Sequence, residues 1–577
     1  MSLRRAAWVT LSLSAACSQG VEPVTYQVHV QAGDAQTDTV GRALPVPLRV
    51  LVQDHRTPPQ PLAAVLVTWS LSAGSGLITT RSETDSTGVA SATWTLGPVA
   101  GIQTAHASVA GADAAFTATA LPGSPAQATK RGDRQIGAAG AQLPAAYGVL
   151  VVDEFGNAVP GVAVSWTVTA GGGSLSTTSS ETGATGIAET RYTLGATFGP
   201  NAVQAVVAVL NDTLLFTASA TEQPPLVATV PIPAAYGIHD TFVRDGLAFV
   251  CAWDSGVLIF DVGNGIRGGT PSNPVRVSKI VTAGGEAHNA WWFWNPNTNE
   301  KRYLFVGQEG PGAIGSSSSG DIHVVDVSDL TAPVEVASFH LTGAGTHNFW
   351  MDEAAGILYA AYYNGGVVAL NVSGTLAGDL SARGIDTLQL GGTNNTYTWG
   401  VQLYNGSLYA IDMMSGLWQV NTTSGALSVA AGGNNEPSRY SSDLWAHGGY
   451  VYTGTWDHAR RSGAAGSLLK VWQLDGSGAP VAVDSILTSN VGAVSDVEVS
   501  SNGKLLMFSA EGGTNSGLHF YSLADPAHPT LRGMQSVSGG VHTATLGYIG
   551  GRVYAFAAKN PSSPALLIFD VTSLAGF

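Results

Sequence analysis

Charged residues are scarce in this chain of 577 residues. They make up 11% of it, against about 25% in a typical globular domain. Acidic residues outnumber basic ones by 40 to 25, so the formal net charge is −15. Nonspecific binding to nucleic acid depends on many Lys and Arg contacts to phosphates. The composition therefore predicts that nucleic acid is not a partner.

Long hydrophobic runs are also missing. After the N-terminus, no segment offers the continuous apolar stretch of about 18 residues that a transmembrane helix needs. Glycine is abundant, with 72 residues, which disfavours coiled coils and large helical bundles. Hydrophobic residues nevertheless reach 45%, so disorder is not predicted. At about 100–200 residues per domain, the length predicts about three to five domains.

The N-terminus reads MSLRRAAWVTLSLSAACSQG and has the layout of an export signal. Arg4 and Arg5 supply positive charge, and an apolar stretch of 11 residues, 6–16, follows them. A stretch of that length is too short to span a bilayer. We therefore assign residues 1–21 to a signal peptide and expect the protein to be exported.

The end of this segment, Leu13-Ser14-Ala15-Ala16-Cys17, resembles a bacterial lipobox. The resemblance implies that Cys17 becomes a lipidated first residue, so that a lipid anchor is the only contact with the membrane. The protein then resides in the cell envelope or on the outer surface. Leu13 lies one position further from the cysteine than is usual. The alternative is simple cleavage at about residue 20, which leaves a periplasmic or secreted protein.

Cysteine use agrees with export without disulfides. Cys17 and Cys251 are the two cysteines of the chain, so lipidation of Cys17 leaves Cys251 without a partner. The sequence around Cys251, LAFVCAW, is typical of a buried strand. We expect this cysteine to be a small core residue.

Residues 22–222 contain two copies of one pattern. Each copy has short runs of alternating apolar residues separated by turn residues, as a seven-stranded sandwich of about 100 residues requires. Trp69 recurs as Trp166, and Thr95-Leu96-Gly97 recurs as Thr193-Leu194-Gly195. The repeat predicts two tandem β-sandwiches, residues 22–122 and 123–222.

The two copies resemble bacterial Ig-like domains of group 1, the type found in invasin and intimin-like surface proteins. The resemblance is carried by Trp69 and Trp166 in a Val-x-Trp strand, by the Thr-Leu-Gly ending and by a Phe-Thr-Ala strand. It implies a stalk or spacer on the cell surface, in some proteins with a role in adhesion. The first copy departs from the family's turn pattern at residues 54–57, where it reads DHRT.

A different repeat occupies residues 223–577. Seven units of about 49 residues each hold three or four short strands, the pattern of a propeller blade. The segments VLIFDV and IHVVDVSDLTAPVEV resemble the LVIVD repeat of bacterial and archaeal exported proteins. That resemblance implies a surface or periplasmic β-propeller and carries no settled activity. The predicted fold is therefore all-β, with two tandem Ig-like β-sandwiches followed by a seven-bladed β-propeller.

The seventh unit lacks an outer strand. It ends at residues 567–571, shortly before the chain stops at Phe577, whereas the region begins with a strand-like segment at residues 226–232. An unpaired strand edge invites aggregation. We therefore expect the early segment to pair with the last strand and to complete the seventh blade.

Histidines recur where the first strand of a unit begins. They come from units one, two, three and seven, which are neighbours on a closed ring, and they are His239, His288, His347 and His542. Four imidazoles at one depth are a candidate site for a transition metal, with zinc, copper or iron as the candidates. The alternative is structural, because repeats copy residues and a His-Asn pair can bond to backbone where two blades meet.

Polar and aromatic residues beside these histidines predict a ligand site without a metal as a further alternative. Tryptophans are frequent in this region, and indole rings beside polar groups suit glycans or small polar ligands, although tryptophan also fills cores. The candidate ligand-binding residues are Asp240, Asn289, Asn348, Trp350, Trp399 and Asp443. Candidate acid–base groups without an assigned reaction are Glu309, Asp352, Glu353, Asp412, Asp443 and Glu511.

These patterns predict an exported cell-surface binding protein, in which an Ig-like stalk presents a propeller to a surface ligand such as a glycan or a protein. Two other functions remain open. One is a metal-dependent enzyme, an oxidoreductase or a hydrolase, that uses the four histidines. The other is a purely structural surface protein.

Overall fold

The computed structural model describes residues 25–233, 237–310, 319–391, 396–456, 465–559 and 563–577. The proposed export signal and Cys17 lie outside this part of the chain. Strands dominate the described residues, which contain one α-helix, Thr572–Ala575, and two 3₁₀ turns, Ala208–Leu210 and Ser381–Arg383. None of these helices has the length and apolar character to cross a membrane. The predicted all-β fold is confirmed.

The first of the two tandem copies forms two facing sheets. The smaller sheet contains Gln27–Ala32, Leu48–Gln53 and Val89–Ala92. The larger sheet contains, in spatial order, Gln36–Thr39, Ala112–Leu121, Gly101–Val109, Leu66–Leu71 and Arg81–Glu83. Leu77–Ile78 pairs with Trp94–Thr95 at one end. Alternate residues of Leu48–Gln53 are buried, because only one face of each sheet meets the core, where Trp69 packs against Phe116.

The second copy repeats this topology strand for strand. Its smaller sheet contains Gln127–Arg131, Tyr147–Val152 and Ile187–Thr190. Its larger sheet contains Gln135–Ala138, Asp212–Thr221, Gly199–Val207, Ala163–Ala170 and Ser179–Glu181, and Ser174–Leu175 pairs with Tyr192–Thr193. The Trp69 indole N–H donates to Ser82 Oγ at 2.8 Å. The Trp166 indole N–H donates to Ser180 Oγ at 2.9 Å in the same way. The sequence repeat therefore reflects one structural unit used twice.

Polar contacts join the successive units. Asn157 donates to the carbonyl of Pro98 at 2.8 Å and accepts from the amide of Ala100 at 2.9 Å, which connects the two sandwiches. Glu222 exchanges backbone hydrogen bonds with Arg532 and Met534, which connects the second sandwich to the C-terminal region.

The described residues after 225 form seven sheets of four or five strands. The first sheet contains Asp240–Arg244, Leu247–Cys251, Val257–Asp261 and Val275–Ile280. The second contains Ala287–Trp292, Tyr303–Gln308, Ile322–Asp326, Val334–Phe339 and Gly378–Asp379. The third contains Phe349–Asp352, Ile357–Ala361, Val367–Asn371 and Gly384–Leu388. The fourth and fifth contain Thr398–Tyr404, Ser407–Asp412, Gly416–Thr423 and Ala426–Gly432; and Tyr440–His447, Tyr450–Trp456, Leu468–Leu474 and Pro480–Leu487. The sixth and seventh contain Ala493–Val499, Leu505–Glu511, Gly517–Ser522 and Thr530–Ser536; and Ala544–Ile549, Arg552–Lys559, Ala565–Asp570 and Leu226–Pro231.

The last of these strands comes from the beginning of the region. Leu226–Pro231 pairs antiparallel with Ala565–Asp570, so the segment predicted to complete the last unit occupies the edge of the seventh sheet. The amide of Ile232 extends this pairing by donating to the carbonyl of Pro564 at 3.0 Å. The pairing covers an edge that would otherwise expose unpaired backbone groups.

Each of the seven sheets packs against its neighbours through apolar side chains. Phe249 and Ile259 of the first sheet meet Leu304 of the second, and similar clusters join every following pair. Phe556 and Ile568 of the seventh sheet pack against Val250 of the first. Because both faces of a sheet are covered, central strands such as Leu247–Cys251 are buried at every residue. Cys251 lies in such a strand with no disulfide partner, and its predicted core position is confirmed.

Candidate functional site

The histidines of three sheets occupy equivalent backbone positions. Their amides donate to the carbonyl of a residue near the end of the neighbouring second strand: His239 to Cys251 at 2.8 Å, His347 to Ala361 at 2.8 Å and His542 to Ala558 at 3.1 Å. A shared register places the side chains at one depth. These three histidines therefore come together, although 303 positions separate His239 from His542, and the ring of His288 joins them through contacts with His239 and His347.

The imidazole rings form a compact cluster. Ring centroids are 3.6 Å apart for His239 and His288, 4.1 Å for His288 and His347, and 4.3 Å for His239 and His542. One ring nitrogen each of His239, His288 and His347 lies within 4.8 Å of the others, a grouping that can hold a metal ion. The rings of these three residues are buried, with at most 4% of each residue exposed.

Most ring nitrogens of this trio have no hydrogen-bond partner. His347 Nδ1 donates to the carbonyl of Trp399 at 2.5 Å, which leaves the lone pair on Nε2. That Nε2, His239 Nδ1 and both nitrogens of His288 are buried and unpartnered. Leaving a buried polar atom unpaired costs about 1–3 kcal/mol. The unsatisfied nitrogens therefore favour a ligand at this point.

The electrostatics keep the trio neutral. Burial, with the neighbouring histidines adding to it, lowers the pKa of His239 and of His288 well below the usual value. Burial also lowers the pKa of His347, to about 3. Neutral imidazole is the form that binds metals. Protons therefore do not compete for these nitrogens near neutral pH.

His542 stands beside the trio and is held differently. Its Nδ1 is hydrogen-bonded to the Glu511 carboxylate, and its Nε2 lies 2.8 Å from His239 Nε2. Burial lowers the pKa of His542, but the Glu511 carboxylate outweighs it, so the net shift is upward. In this arrangement the Glu511 carboxylate holds the His542 ring, and His542 in turn orients His239.

The predicted ligand-binding residues divide between two spaces. Asp240, Asn289, Asn348, Trp350 and Asp443 line a cavity of about 310 Å³. Its wall is built from the first strand of every one of the seven described sheets. Trp399 does not line this cavity. Its ring packs 4.3 Å from the His347 ring, beside a small chamber of about 10 Å³ that the cavity-lining residues Asn348 and Asp443 share with His239, His347 and His542.

Two acidic residues of the cavity were not among the predicted ligand residues. Asp496 and Glu498 line it together with Asp240 and Asp443. Glu498 occupies the position on the sixth sheet that a tryptophan occupies on the second, third and fifth sheets. Side chains two residues apart on a strand face the same side of the sheet. The alternation along the first strands could therefore have identified Asp496 and Glu498 as cavity residues from the sequence.

Of the remaining candidate acid–base groups, only Glu309 and Glu511 lie by the histidines. Glu309 Oε2 is 3.9 Å from His288 Nε2, and the Tyr363 hydroxyl donates to its Oε1 at 2.5 Å. Burial raises the pKa of Glu309. Asp412 instead accepts hydrogen bonds from the amides of Met414 and Ser415 in a turn. The last two have structural roles, since Asp352 accepts the amide of Ala355 and Glu353 pairs with Arg244.

One comparison with known proteins gives a match. Residues 135–216 match the model of the bacterial Ig-like domain (group 1). The matched segment lies within the second sandwich and contains Trp166, one of the residues that carry the resemblance in the sequence. A search of curated proteins finds no match to the chain.

Proposed function

We propose that the protein is an exported bacterial surface protein in which the two sandwiches carry a seven-bladed β-propeller with a metal-binding centre. The propeller is supported by the seven sheets, by apolar clusters between all neighbours including the last and the first, and by the early strand that completes the last sheet. Surface location is supported by the signal-like N-terminus and by the family match at residues 135–216. A lipid anchor at Cys17 remains the proposed attachment.

The metal centre rests on one observation, the unpartnered nitrogens of the buried trio His239, His288 and His347. Three histidines leave at least one position open around a tetrahedral ion. At a Zn–N distance of about 2.1 Å, tetrahedral ligands lie about 3.4 Å apart. The ring nitrogens, which lie within 4.8 Å of one another, would approach one another by at most about 1.4 Å to bind such an ion. Imidazole suits zinc, copper and iron, the candidates predicted from the sequence.

His542 and Glu511 complete the centre as positioning residues. The carboxylate holds His542, and His542 in turn meets His239 Nε2. A hydrogen bond on the far nitrogen fixes the ring of a metal-binding histidine and selects its tautomer. With His542 Nδ1–H donating to Glu511, His542 Nε2 accepts the His239 Nε2–H. The lone pair of His239 is then on Nδ1, which is the atom without a partner.

The centre serves ligand binding in this proposal, because an ion with an open position can capture a donor atom of a surface ligand. A metal-dependent hydrolase is the second candidate. It is favoured by Glu309, whose buried carboxylate lies beside His288 and suits a general base. Glu309 to Gln would leave metal content unchanged and abolish hydrolysis if the second candidate is right.

The test measures metal in the purified full chain after exposure to zinc, copper or iron and removal of the excess. We expect about one ion per chain, as three-histidine sites hold. His288→Ala and His347→Ala should each lose it, whereas His528→Ala, which removes an exposed histidine, should keep it. A metal-free wild type, or variants that retain the ion, would refute the centre and favour a purely structural role for these histidines.

A further inference from the structure

The cavity on the other side of the histidines has an aromatic wall. Trp350 lies between Trp291 and Trp445, with ring centroids 5.4 Å and 5.9 Å away. Phe242 packs against Trp291 at 5.3 Å. All four rings line the cavity and are half-buried. Its volume of about 310 Å³ is at the lower end of the range for small-molecule sites, about 300–1,000 Å³.

The cavity also has an acidic part. Asp240, Asp443, Asp496 and Glu498 line it. Burial, and after it the neighbouring Asp443 carboxyl, raise the pKa of Asp496 well above its usual value. Burial is also the first cause of a raised pKa for Asp443, to about 6, and for Glu498, to about 8.

Backbone amides hold these carboxyls in place. Asp496 accepts the amide of Ala544 at 2.8 Å, and Glu498 accepts the amide of Leu546 at 2.9 Å. The oxygens therefore come from rigid strands rather than from mobile side chains on the surface.

The cavity lining offers no free cation to balance this group, and the nearest ring that can carry a charge, His542, lies in the adjoining chamber with Asp443 and Asp496. Arg244 is the basic residue of the lining, and its guanidinium is engaged elsewhere. It donates to Glu353 Oε1 at 2.5 Å and to the Trp292 carbonyl at 2.7 Å, and it stacks over the rings of Phe242 and Trp291. Burying several carboxyls together is costly unless a positive charge joins them.

Two more oxygens are left without partners here. Asn289, which lines the cavity, has an unpartnered Oδ1, and Ser495, which lines the adjoining chamber with Asp443 and Asp496, has an unpartnered Oγ. Both residues are 3% exposed. Buried acceptors without donors favour a ligand that supplies N–H groups.

The ligand is not a bare metal ion. In the described part of the chain, only the histidine trio brings three metal-ligating atoms together, so the four carboxyls do not converge on one point. A cation that needs only the neighbouring carboxyls of Asp443 and Asp496 fits this arrangement. An ammonium group supplies three N–H donors and no acceptor, and aromatic faces attract a cation and pack against an apolar stem.

We propose that this cavity binds a primary alkylamine, with its ammonium group beside Asp443 and Asp496 and its stem against Trp350 and its two neighbouring indoles. A neutral polyol would meet the aromatic wall but would leave the carboxyls without a counter-charge. A quaternary ammonium would meet the rings but offers no N–H donor to the oxygens. The chemistry of the wall and of the floor together therefore selects a primary amine.

Calorimetric titration of the metal-free full chain tests this assignment, with hexylamine, tetramethylammonium and glucose as probes. Hexylamine should bind at least tenfold more tightly than the other two. Asp443→Asn and Asp496→Asn should each weaken it at least tenfold, and Trp350→Leu should also weaken it. Asp484→Asn, which changes an acidic residue paired with exposed His528 outside the cavity, should bind as the wild type does.

Each other outcome has a meaning. Equal binding of glucose would overturn the amine in favour of a polyol, equal binding of tetramethylammonium would reduce the site to an aromatic cage, and absence of binding would remove the site. Quenching of wild-type tryptophan fluorescence by hexylamine gives a readout that needs no variant. His288→Ala should lose the metal and keep the amine, so failure of the metal centre and failure of the amine site are distinguishable.

Discussion

His519 offers a test of the burial that holds the sixth sheet together. Its ring stacks on Phe508 with centroids 4.8 Å apart and an angle of 6°. Its Nε2 donates to the carbonyl of Asn515 at 2.8 Å, and its Nδ1 is buried without a partner. The residue is fully buried. A proton added to Nδ1 would place a charge in the core with nothing to accept the new N–H.

The structure sets the size of the effect. Burial lowers the pKa of His519 from 6.5 to about 4. Between these values the unfolded chain binds more protons than the folded one, so acidification favours unfolding. The loss begins as the pH falls below about 6.5 and is nearly complete at pH 4, where about half of the folded molecules also carry the proton. At about 1.4 kcal/mol for each pH unit, the total is about 3 kcal/mol.

The assay compares wild type with His519→Phe by urea unfolding of the full chain, followed by tryptophan fluorescence, at pH 7 and pH 4. At pH 7 the variant should be less stable by about 1–3 kcal/mol, because the Asn515 carbonyl loses its donor. At pH 4 that deficit should shrink by about 3 kcal/mol or reverse. His528→Phe, at an exposed position, should show no such change. Equal pH dependence of wild type and His519→Phe would refute the reasoning.

Two core substitutions test the packing of the other regions. In a calorimetric scan, Trp166→Ala should destabilise the second sandwich by about 3–5 kcal/mol, since it removes a buried ring that packs on Phe216. Its control is Val209→Ala at an exposed position, which should cost under about 0.5 kcal/mol in the same scan. Ile232→Ala should destabilise the seven-sheet region by about 2–5 kcal/mol, because Ile232 is buried between the first and last sheets. Leu226→Ala, in the same segment but exposed, is its control, and equal urea midpoints for the two variants would contradict a closing role for this strand.

Local patterns in the sequence sufficed for the strands and for the repeats. Alternation of apolar residues predicted the half-buried strands of the sandwiches, and Trp69 and Trp166 marked equivalent positions that the structure fills in the same way. The pairing of the early segment with the last strand was also predictable, because a missing outer strand and a surplus strand can be counted without coordinates. These features depend on residues that are close together in the chain, or on counting how many strands each sheet needs.

The chemistry of the centre needed the tertiary structure. The repeat placed four histidines at one depth, yet only the packing of the sheets separates the trio with free nitrogens from His542, which Glu511 holds. Trp399 carries the same kind of ring as Trp350 but packs on His347 instead of lining the large cavity.

A one-residue shift along a strand turns a side chain to the other face, and hydrogen bonds between residues hundreds of positions apart arise only when the first and last sheets meet. The amino-acid order by itself therefore determined which elements form and which residues lie on the first strand of each sheet. The closed packing of those elements decided which atoms are left without partners, and these are the atoms that can bind a ligand.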